Sequence, residues 1–289
     1  DSDESRGLGD VYKRQAIEAG DIEVGIAGGV EDMFTIPQGG FAPDFNVKLA
    51  EQDYYISMGE GAELLADELN ISREEQEEFS FSSHEKAVAA REAGKFDNEI
   101  VPITLEDGTI IDQDSGPRNP DKEKIKSLNP AFRADGTVTA ATSSPFSIGA
   151  SAMLITSENF ANKHGLKIRA FIEGRAVAGV NWKMFGSGPV PATKKALEKT
   201  GLSIDDIDAL ELNEAFAAQA LYCIKKANWN PDKVNLNGGA VALGHPLGIS
   251  GTRIITTLLN VLEQNDKNTG LATMCVGTGQ GITTIIKRG

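Results

Sequence analysis

One histidine stands in a setting that suits proton transfer. His245 lies between Gly244 and Pro246, so its backbone is restrained, and we expect open space around its ring. Imidazole is the side chain best suited to moving protons near neutral pH, which makes His245 a candidate general base. A lone histidine can also be a surface residue or a hydrogen-bonded core residue, and residue type alone does not decide between these roles and catalysis.

A cysteine and an asparagine stand at the ends of predicted strands. Cys275 precedes Gly277, and backbone N–H groups at such a turn can point at a bound group and lower the pKa of a thiol. Asn213 comes directly before a predicted helix over 214–227, where it can cap the helix, act in a site, or do both. Cys223 lies within that helix among apolar residues and is predicted to be a buried structural thiol.

The remaining composition narrows the possible functions. His84 and His164 lie in charged helical sequence, and we expect both to be solvated. Two cysteines cannot build a disulfide framework or a four-thiolate metal site, and we predict no metal. Lys+Arg 28 against Asp+Glu 42 gives 28 − 42 = −14, a charge that argues against nucleic acid as a partner. The 40% apolar content is that of a globular protein.

Targeting signals give a prediction of compartment. No stretch approaches the roughly 18 uninterrupted apolar residues of a membrane span, and the first residues lack the apolar core of a secretory signal. We therefore expect no membrane span and a cytoplasmic location, or one in a similarly reducing compartment.

The second half of the chain alternates predicted strands with predicted helices. Such alternation indicates an α/β fold with a largely parallel sheet that is covered on both faces. Strands are predicted at 153–156, 168–180, 209–212, 234–236, 271–276 and 282–287, and helices at 193–199, 214–227 and 248–263. A nucleotide cradle is set aside, since neither a GxGxxG nor a GxxxxGK[ST] pattern follows a strand as required.

The first half begins irregularly and then becomes helical. Residues 1–15 show neither helical nor strand periodicity, and we expect them to be disordered. A capping box formed by Ser72 and Glu75 predicts a helix that continues to Ala93. Asp107 and Gly108 predict a hairpin turn within a larger excursion from the sheet.

The three candidate segments together resemble the thiolases, which exchange acyl groups between coenzyme A thioesters and a cysteine. The segments that carry the resemblance are LNEAFAAQAL, NLNGGAVALGHPLGISGTRI and GLATMCVGTGQG. TVTAATSS, LYCIKK and LATMCVG are most similar to the degradative 3-ketoacyl-CoA thiolases. The resemblance implies a layered αβαβα fold with a loop-domain insertion and a truncated first half. The implied divisions are a non-native or disordered tail at 1–15, the rest of the N-terminal half at 16–158 with a loop domain at about 34–135, and a C-terminal half at 159–289.

The resemblance also implies the roles of four catalytic residues. His245 matches the histidine that activates a nucleophilic cysteine and helps to hold the thioester oxygen. Cys275 matches the second cysteine, which protonates the departing acetyl-CoA carbanion and later deprotonates coenzyme A. Asn213 matches the residue that positions a water in one oxyanion hole, and the N–H of Gly277 matches a donor in a second.

Coenzyme A is implied as a substrate, with no permanently bound cofactor. Ser144, Met58, Ala215 and Phe216 fall where the family contacts its pantetheine arm and adenine, although loop, core and helix roles would explain the same residue types. Biosynthetic relatives often carry histidine where this chain has Ser57, so that residue favours a degradative, longer-chain enzyme.

Two departures from the family pattern change what we expect of this chain. Ile148 stands where the family usually has an aspartate, which removes a hydrogen-bond partner near the coenzyme A loop. The family's nucleophile lies in a Cys-Gly-Ser-Gly turn upstream of the AIEAGD segment, and that turn does not occur here. We therefore expect this chain to lack the family's N-terminal part and to be inactive by itself.

Other functions remain open at this stage. An acetoacetyl-CoA thiolase of the biosynthetic kind shares every catalytic match, and a non-catalytic thiolase-like carrier would explain the missing nucleophile. Ketoacyl synthases share the architecture but lack the Cys275–Gly277 pattern. The family further implies a homodimer or homotetramer that acts in fatty-acid β-oxidation, with a multifunctional β-oxidation enzyme as a candidate partner.

Overall fold

The computed structural model describes residues 9–35 and 44–289. In these residues the strands are β1 (Val24–Asp32), β2 (Ile103–Thr104), β3 (Ile110–Ile111), β4 (Ile148–Thr156), β5 (Ala170–Gly179), β6 (Ala209–Leu212), β7 (Thr269–Val276) and β8 (Gln280–Arg288). The α-helices are α1 (Gly9–Ala19), α2 (Val47–Ala50), α3 (Met58–Leu69), α4 (Arg73–Glu92), α5 (Lys122–Lys126), α6 (Glu158–Lys163), α7 (Pro189–Thr200), α8 (Ala217–Ala227), α9 (Ala240–Leu243) and α10 (Ser250–Gln264).

A four-stranded sheet in the order β5-β8-β7-β6 forms the framework of the second half. Its β6–β7 pair is parallel, whereas β5–β8 and β7–β8 are antiparallel. The prediction of a largely parallel sheet is therefore wrong for this sheet. The reason is the turn at 277–279, which is too short for the crossover that parallel neighbours need, and in which Thr278 and Gly279 take positive φ values.

The two faces of this sheet bury two separate apolar clusters. Along β7, Leu271 and Cys275 point into a cluster that includes side chains of α3 and α8. Ala272 and Met274 alternate with them and point into a cluster formed mainly by α10. This alternation determines that the Cys275 thiol faces the helices of the first cluster.

Helix α10 lies between this sheet and a second one. It contacts β6 and β7 on one side and the antiparallel pair β1–β4 on the other. Helix α7 packs against β5 and β8, and α1 packs against β1 and β4. The resulting succession of helix and sheet layers agrees with the layered αβαβα arrangement expected from the sequence. None of the described helices has the length and apolar composition that crossing a membrane requires.

Two local predictions are wrong. Helix α1 begins at Gly9, so residues 9–15 are not irregular. The strong helix formers at 13–16 and an Arg14–Glu18 ion pair one turn apart favour the helix. Residues 1–8 of the predicted tail lie outside the described residues. The predicted strand at 234–236 is a single bridge between Val234 and Leu210, because the side chain of Asn235 bonds the backbone of β6 in place of a strand ladder.

The segment between β1 and β4 packs its helices against the second half. The Ser72–Glu75 capping box and the hairpin at Asp107–Gly108 are both present as predicted. Helix α3 contacts α8, and α4 contacts α8 and α9. The buried carboxylate of Glu63 on α3 accepts hydrogen bonds from the N–H groups of Thr137 and Val138, both at 2.9 Å. This anchor brings the neighbouring chain segment, including Phe132, onto α3.

Candidate active site

The candidate site begins where β6 and β7 end side by side. Asn213 directly follows β6, and its N–H donates to the carbonyl of Thr273 on β7 at 3.0 Å. Cys275 lies two residues further along β7, so its thiol and the Asn213 amide arise from adjoining strand ends. Asn213 does not cap a helix, since α8 begins only at Ala217.

Asn213 and His245 are in direct contact. The amide Nδ2 of Asn213 lies 3.2 Å from Nε2 of His245, and Nδ1 of the same ring lies 2.6 Å from Oγ of Ser250. Both side chains are buried, with His245 only 9% exposed. The expectation of open space around the ring is therefore wrong. Gly244 takes φ +98, and a Cβ there would press against Ser147, so the turn before the histidine requires glycine.

The imidazole of His245 is neutral at physiological pH. Burial lowers its pKa to about 4, and the positive charge of Arg253 acts in the same direction. A neutral ring has one nitrogen lone pair available to accept a proton, which is what a general base needs.

The thiol of Cys275 is buried and protonated. Its residue is 6% exposed, and burial raises the thiol pKa to about 12. The predicted lowering of this pKa is thus wrong, because removal from water outweighs the local backbone dipoles. A protonated thiol suits a proton donor better than a resting nucleophile. Cys223 is fully buried on α8, as predicted, and burial raises its pKa as well.

A buried carboxylate connects the segments around the site. Both Oε atoms of Glu214 accept hydrogen bonds: from the Ser83 hydroxyl at 2.7 Å, from the Asn235 amide at 2.7 Å and from the Val241 N–H at 3.0 Å. The hydroxyl of Ser83 in turn accepts from the N–H of Gly239 at 3.0 Å. A Cβ on Gly239 would collide with the Glu214 carboxylate. The loop that leads to His245 is therefore tied to β6 and α4.

The four residues expected to contact coenzyme A lie next to the catalytic candidates. The N–H of Ser144 donates to the carbonyl of Ala215 at 3.0 Å, and the preceding residue bridges to Phe216. Met58 is 40% exposed at the start of α3, and its sulfur lies beside Gly277. A Cβ atom added to Gly277 would be 4.0 Å from this sulfur. These contacts place all four residues around one group of strand ends and loops.

Sequence reasoning missed several residues of this region. The ring of Phe132 meets that of Phe216 edge-on, with 5.8 Å between centroids. Glu214 follows Asn213 in the NEAF segment, and this neighbourhood could have indicated that Glu214 lies near the site. Nothing in the sequence around Ser83 or Phe132 indicates that these residues lie there.

The prediction that His84 is solvated is wrong, and that for His164 is confirmed. His84 is 4% exposed, and it lies on the face of α4 where Phe81 and Arg91 contact Lys122 and Pro117 of the segment after β3. Burial, together with the charge of Arg118, lowers its pKa to about 4. His164 is exposed.

Comparison with known proteins identifies the family. The family description "Thiolase, N-terminal domain" matches residues 7–159, and "Thiolase, C-terminal domain" matches residues 166–288. The chain belongs to the thiolase family. The first match begins at residue 7, before the predicted start of family sequence at Ala16.

Individual relatives support the same assignment. A 3-ketoacyl-CoA thiolase of Vibrio parahaemolyticus serotype O3:K6 (strain RIMD 2210633) is 50% identical over 286 residues, which cover 95% of this chain and 73% of the relative. A crystal structure of human mitochondrial 3-ketoacyl-CoA thiolase in complex with CoA matches with a TM-score of 0.91 and 37% identity, over 99% of this chain and 76% of that one.

A further solved structure, an acetyl-CoA acetyltransferase of Bacillus anthracis, matches with a TM-score of 0.89 and 39% identity, over 97% of this chain and 76% of that one. These likenesses confirm the thiolase fold and the similarity to 3-ketoacyl-CoA thiolases expected from the sequence.

Replacing Glu214 by Gln should destabilise the protein. The glutamine amide would turn N–H groups toward donors that now bond a carboxylate, so we expect a loss of about 2 kcal/mol in the free energy of unfolding. Urea unfolding followed by circular dichroism measures it. Glu173→Gln, at an exposed position on β5, is the control and should change stability by less than about 0.5 kcal/mol. Equal stabilities of the two variants would contradict the role given to Glu214.

The contribution of His84 and His245 to stability should fall as the pH is lowered from 6.5 toward 4. Both rings have folded pKa values of about 4, below the ordinary 6.5, so at these two sites the unfolded chain binds more protons in this interval. The buried carboxyl group of Glu211, whose pKa is raised to about 8, acts in the opposite direction. The stability that comes from keeping both rings neutral is present above pH 6.5 and is lost on acidification. Urea unfolding at closely spaced pH values measures this slope.

Two histidine variants separate this effect from the titration of carboxylates. His84→Gln should remove about one proton from the uptake that accompanies unfolding, and His164→Gln, at an exposed position, should leave the uptake unchanged. An unaltered slope in the His84 variant would show that its ring is not kept neutral by the fold.

Proposed function

We propose that this chain supplies most of a 3-ketoacyl-CoA thiolase, which cleaves a 3-ketoacyl-CoA to acetyl-CoA and a shortened acyl-CoA. The observation that carries the proposal is the contact between Asn213 and a neutral His245 at the strand end that adjoins Cys275. The names of the relatives, 3-ketoacyl-CoA thiolase above all, support the same substrate class.

The reaction divides into two acyl transfers. A cysteine thiolate attacks the keto carbon, the bond between the second and third carbons breaks, and the acyl group stays on the cysteine while acetyl-CoA leaves as a carbanion that must be protonated. Coenzyme A then attacks the acyl-enzyme and regenerates the cysteine. His245 takes the proton from the nucleophile, and Cys275 protonates the carbanion and later accepts the proton of coenzyme A.

The oxygen atoms that gain negative charge need donors. We assign the first to His245 together with a water that Asn213 positions, and the second to the N–H of Gly277. The buried Oδ1 of Asn213 has no partner among the described residues, so it is available to bind such a water.

The nucleophile of this scheme is absent from the 289 residues. Their two cysteines are Cys223 and Cys275, and no Cys-Gly-Ser-Gly turn occurs. Cys223 is fully buried with a raised pKa, so it cannot serve instead. We therefore propose that thiolysis requires a cysteine supplied from outside this sequence.

Coenzyme A is proposed to lie along Met58, Ser144, Ala215 and Phe216. The exposed thioether of Met58 beside Gly277 and the edge-on pair of Phe216 with Phe132 offer apolar surface for the pantetheine arm. The backbone bond between Ser144 and Ala215 keeps the two sides of this surface together.

Two other functions remain as alternatives. An acetoacetyl-CoA thiolase would use the same residues, and the likeness to an acetyl-CoA acetyltransferase favours it over unrelated enzymes. A non-catalytic carrier is favoured by the missing nucleophile alone. The intact Asn213–His245 contact argues against a carrier, since a carrier needs no buried base.

The cellular setting is also proposed. A degradative thiolase acts in fatty-acid β-oxidation, in the cytoplasm, and as a homodimer or homotetramer that can associate with a multifunctional β-oxidation enzyme. Apolar side chains exposed on one face of the β1–β4 pair support association; they are Ile26, Val30, Ile148 and Leu154.

A chimera tests the proposed activity. The N-terminal segment of the Vibrio parahaemolyticus relative is joined ahead of residues 16–289, and cleavage of 3-ketoacyl-CoA substrates of increasing chain length is followed by loss of the 3-keto thioester absorbance. We expect coenzyme A-dependent cleavage that falls by at least about 100-fold in His245→Ala and in Cys275→Ala.

The controls for the chimera are matched to the site. His164→Ala, at an exposed position, should retain full activity. Activity confined to acetoacetyl-CoA would favour the biosynthetic alternative. A folded chimera that binds coenzyme A without cleaving any substrate would favour the carrier.

The 289-residue chain by itself should form no acyl-enzyme. Rapid quenching after mixing with a 3-ketoacyl-CoA, followed by intact-mass measurement, should show no acyl adduct, because both thiols present are buried and protonated. A burst of product that is abolished by prior thiol alkylation would contradict this expectation.

A further inference from the structure

Ser250 joins the ring of His245 to the main chain, and we propose that it determines which ring nitrogen carries the proton. Ser250 is the first residue of α10 and is fully buried. Its Oγ lies 2.6 Å from Nδ1 of His245 and 2.8 Å from the carbonyl oxygen of Pro246. The hydroxyl is therefore within hydrogen-bond distance of both Nδ1 of the ring and a carbonyl oxygen, which can only accept.

The hydrogen bonds of Ser250 determine the tautomer of the His245 ring. A serine hydroxyl has one proton and two lone pairs, and a carbonyl oxygen can only accept. The hydroxyl donates to the carbonyl of Pro246, so its lone pair remains to accept from Nδ1. His245 is thereby the tautomer with its proton on Nδ1.

The contact on the other side of the ring agrees independently. With the proton on Nδ1, Nε2 carries a lone pair that accepts from Nδ2 of Asn213 at 3.2 Å. The orphaned atom of that amide is then its Oδ1, which has no partner among the described residues. Turning the amide over would instead bury an unpaired N–H, which is less tolerable than an unpaired carbonyl oxygen.

The opposite tautomer fits these contacts poorly. The carbonyl of Pro246 also accepts a hydrogen bond from the N–H of Ile249 at 3.1 Å. The Ser250 hydroxyl could therefore donate to Nδ1 instead, and the carbonyl would still have one donor. The proton would then sit on Nε2 and face the N–H groups of Asn213. Two donors directed at each other in a buried site are repulsive, so the Nδ1–H form is favoured.

The consequence for chemistry rests on the proposed function. A ring protonated at Nδ1 leaves Nε2 as the atom that accepts the proton of the nucleophile, and that proton replaces the hydrogen bond from Nδ2 of Asn213. Nδ1 keeps its bond to Ser250 throughout, so the ring does not turn when it becomes charged. Ser250 is fully buried and contacts the ring nitrogen that does not take the proton, so it acts through His245 as a positioning residue.

Nitrogen NMR on histidine-labelled protein tests the assignment. The experiment uses the 289-residue chain at neutral pH, with the His245 signals identified by their loss in His245→Asn. We expect a protonated Nδ1 and an unprotonated Nε2. In Ser250→Ala the ratio of the Nδ1–H form to the Nε2–H form should fall by about fivefold or more, which corresponds to the loss of one hydrogen bond.

Two further variants separate positioning from packing. Ser250→Thr retains the hydroxyl and should restore the ratio. Thr256→Ala removes a hydroxyl of the same helix whose partner among the described residues is the carbonyl of Thr252, so the ratio should not change.

Three outcomes would overturn the proposal: a protonated Nε2 in the unaltered chain, an unchanged ratio in Ser250→Ala, or a changed ratio in Thr256→Ala. The unaltered chain decides the tautomer even where a variant fails to fold. An active chimera with a protonated Nε2 would overturn this assignment alone, whereas an inactive chimera with a protonated Nδ1 would overturn the proposed function alone.

Discussion

A single buried carboxylate holds together the parts of the chain that form the candidate site. Glu214, just after β6, accepts hydrogen bonds from Ser83 of α4, from Asn235 between α8 and α9, and from Val241 of α9, so three parts of the chain meet at its two oxygen atoms. All three partners donate to Glu214 and offset part of the cost of removing its carboxyl group from water, while burial still raises its pKa. The position of His245 depends on this arrangement, since α9 leads directly into its turn.

Burial acts on the two candidate proton-transfer groups in a complementary way. It lowers the pKa of His245 to about 4 and raises that of Cys275 to about 12, and in both cases it keeps the group uncharged at neutral pH. One group is then a base with an unprotonated ring nitrogen, and the other is an acid with a proton to donate. The proposed reaction requires both, and burial is the common physical cause, in the loop after α9 for His245 and at the end of β7 for Cys275.

Local chemistry was predictable wherever neighbours in sequence decide it. The capping box at Ser72, the hairpin at Asp107–Gly108 and strand β6 were predicted from residues within one turn or one strand. The errors concern partners that are distant in sequence. His84 has the charged neighbours in sequence of a surface residue, yet it is buried on the face of α4 that contacts the segment after β3. The turn after β7 makes the sheet mixed, whereas the alternation of elements suggested a parallel one.

By itself the sequence determined the family, the candidate residues and the alternation of helices and strands, because motif spacing and side-chain periodicity are local properties. The tertiary structure alone decided that Asn213 contacts His245, that Ser250 lies on the other side of the ring, and that the Cys275 thiol is buried rather than exposed to activating dipoles. Protonation and tautomer depend on desolvation and on hydrogen-bond partners in space, and neither can be read from the order of residues along the chain.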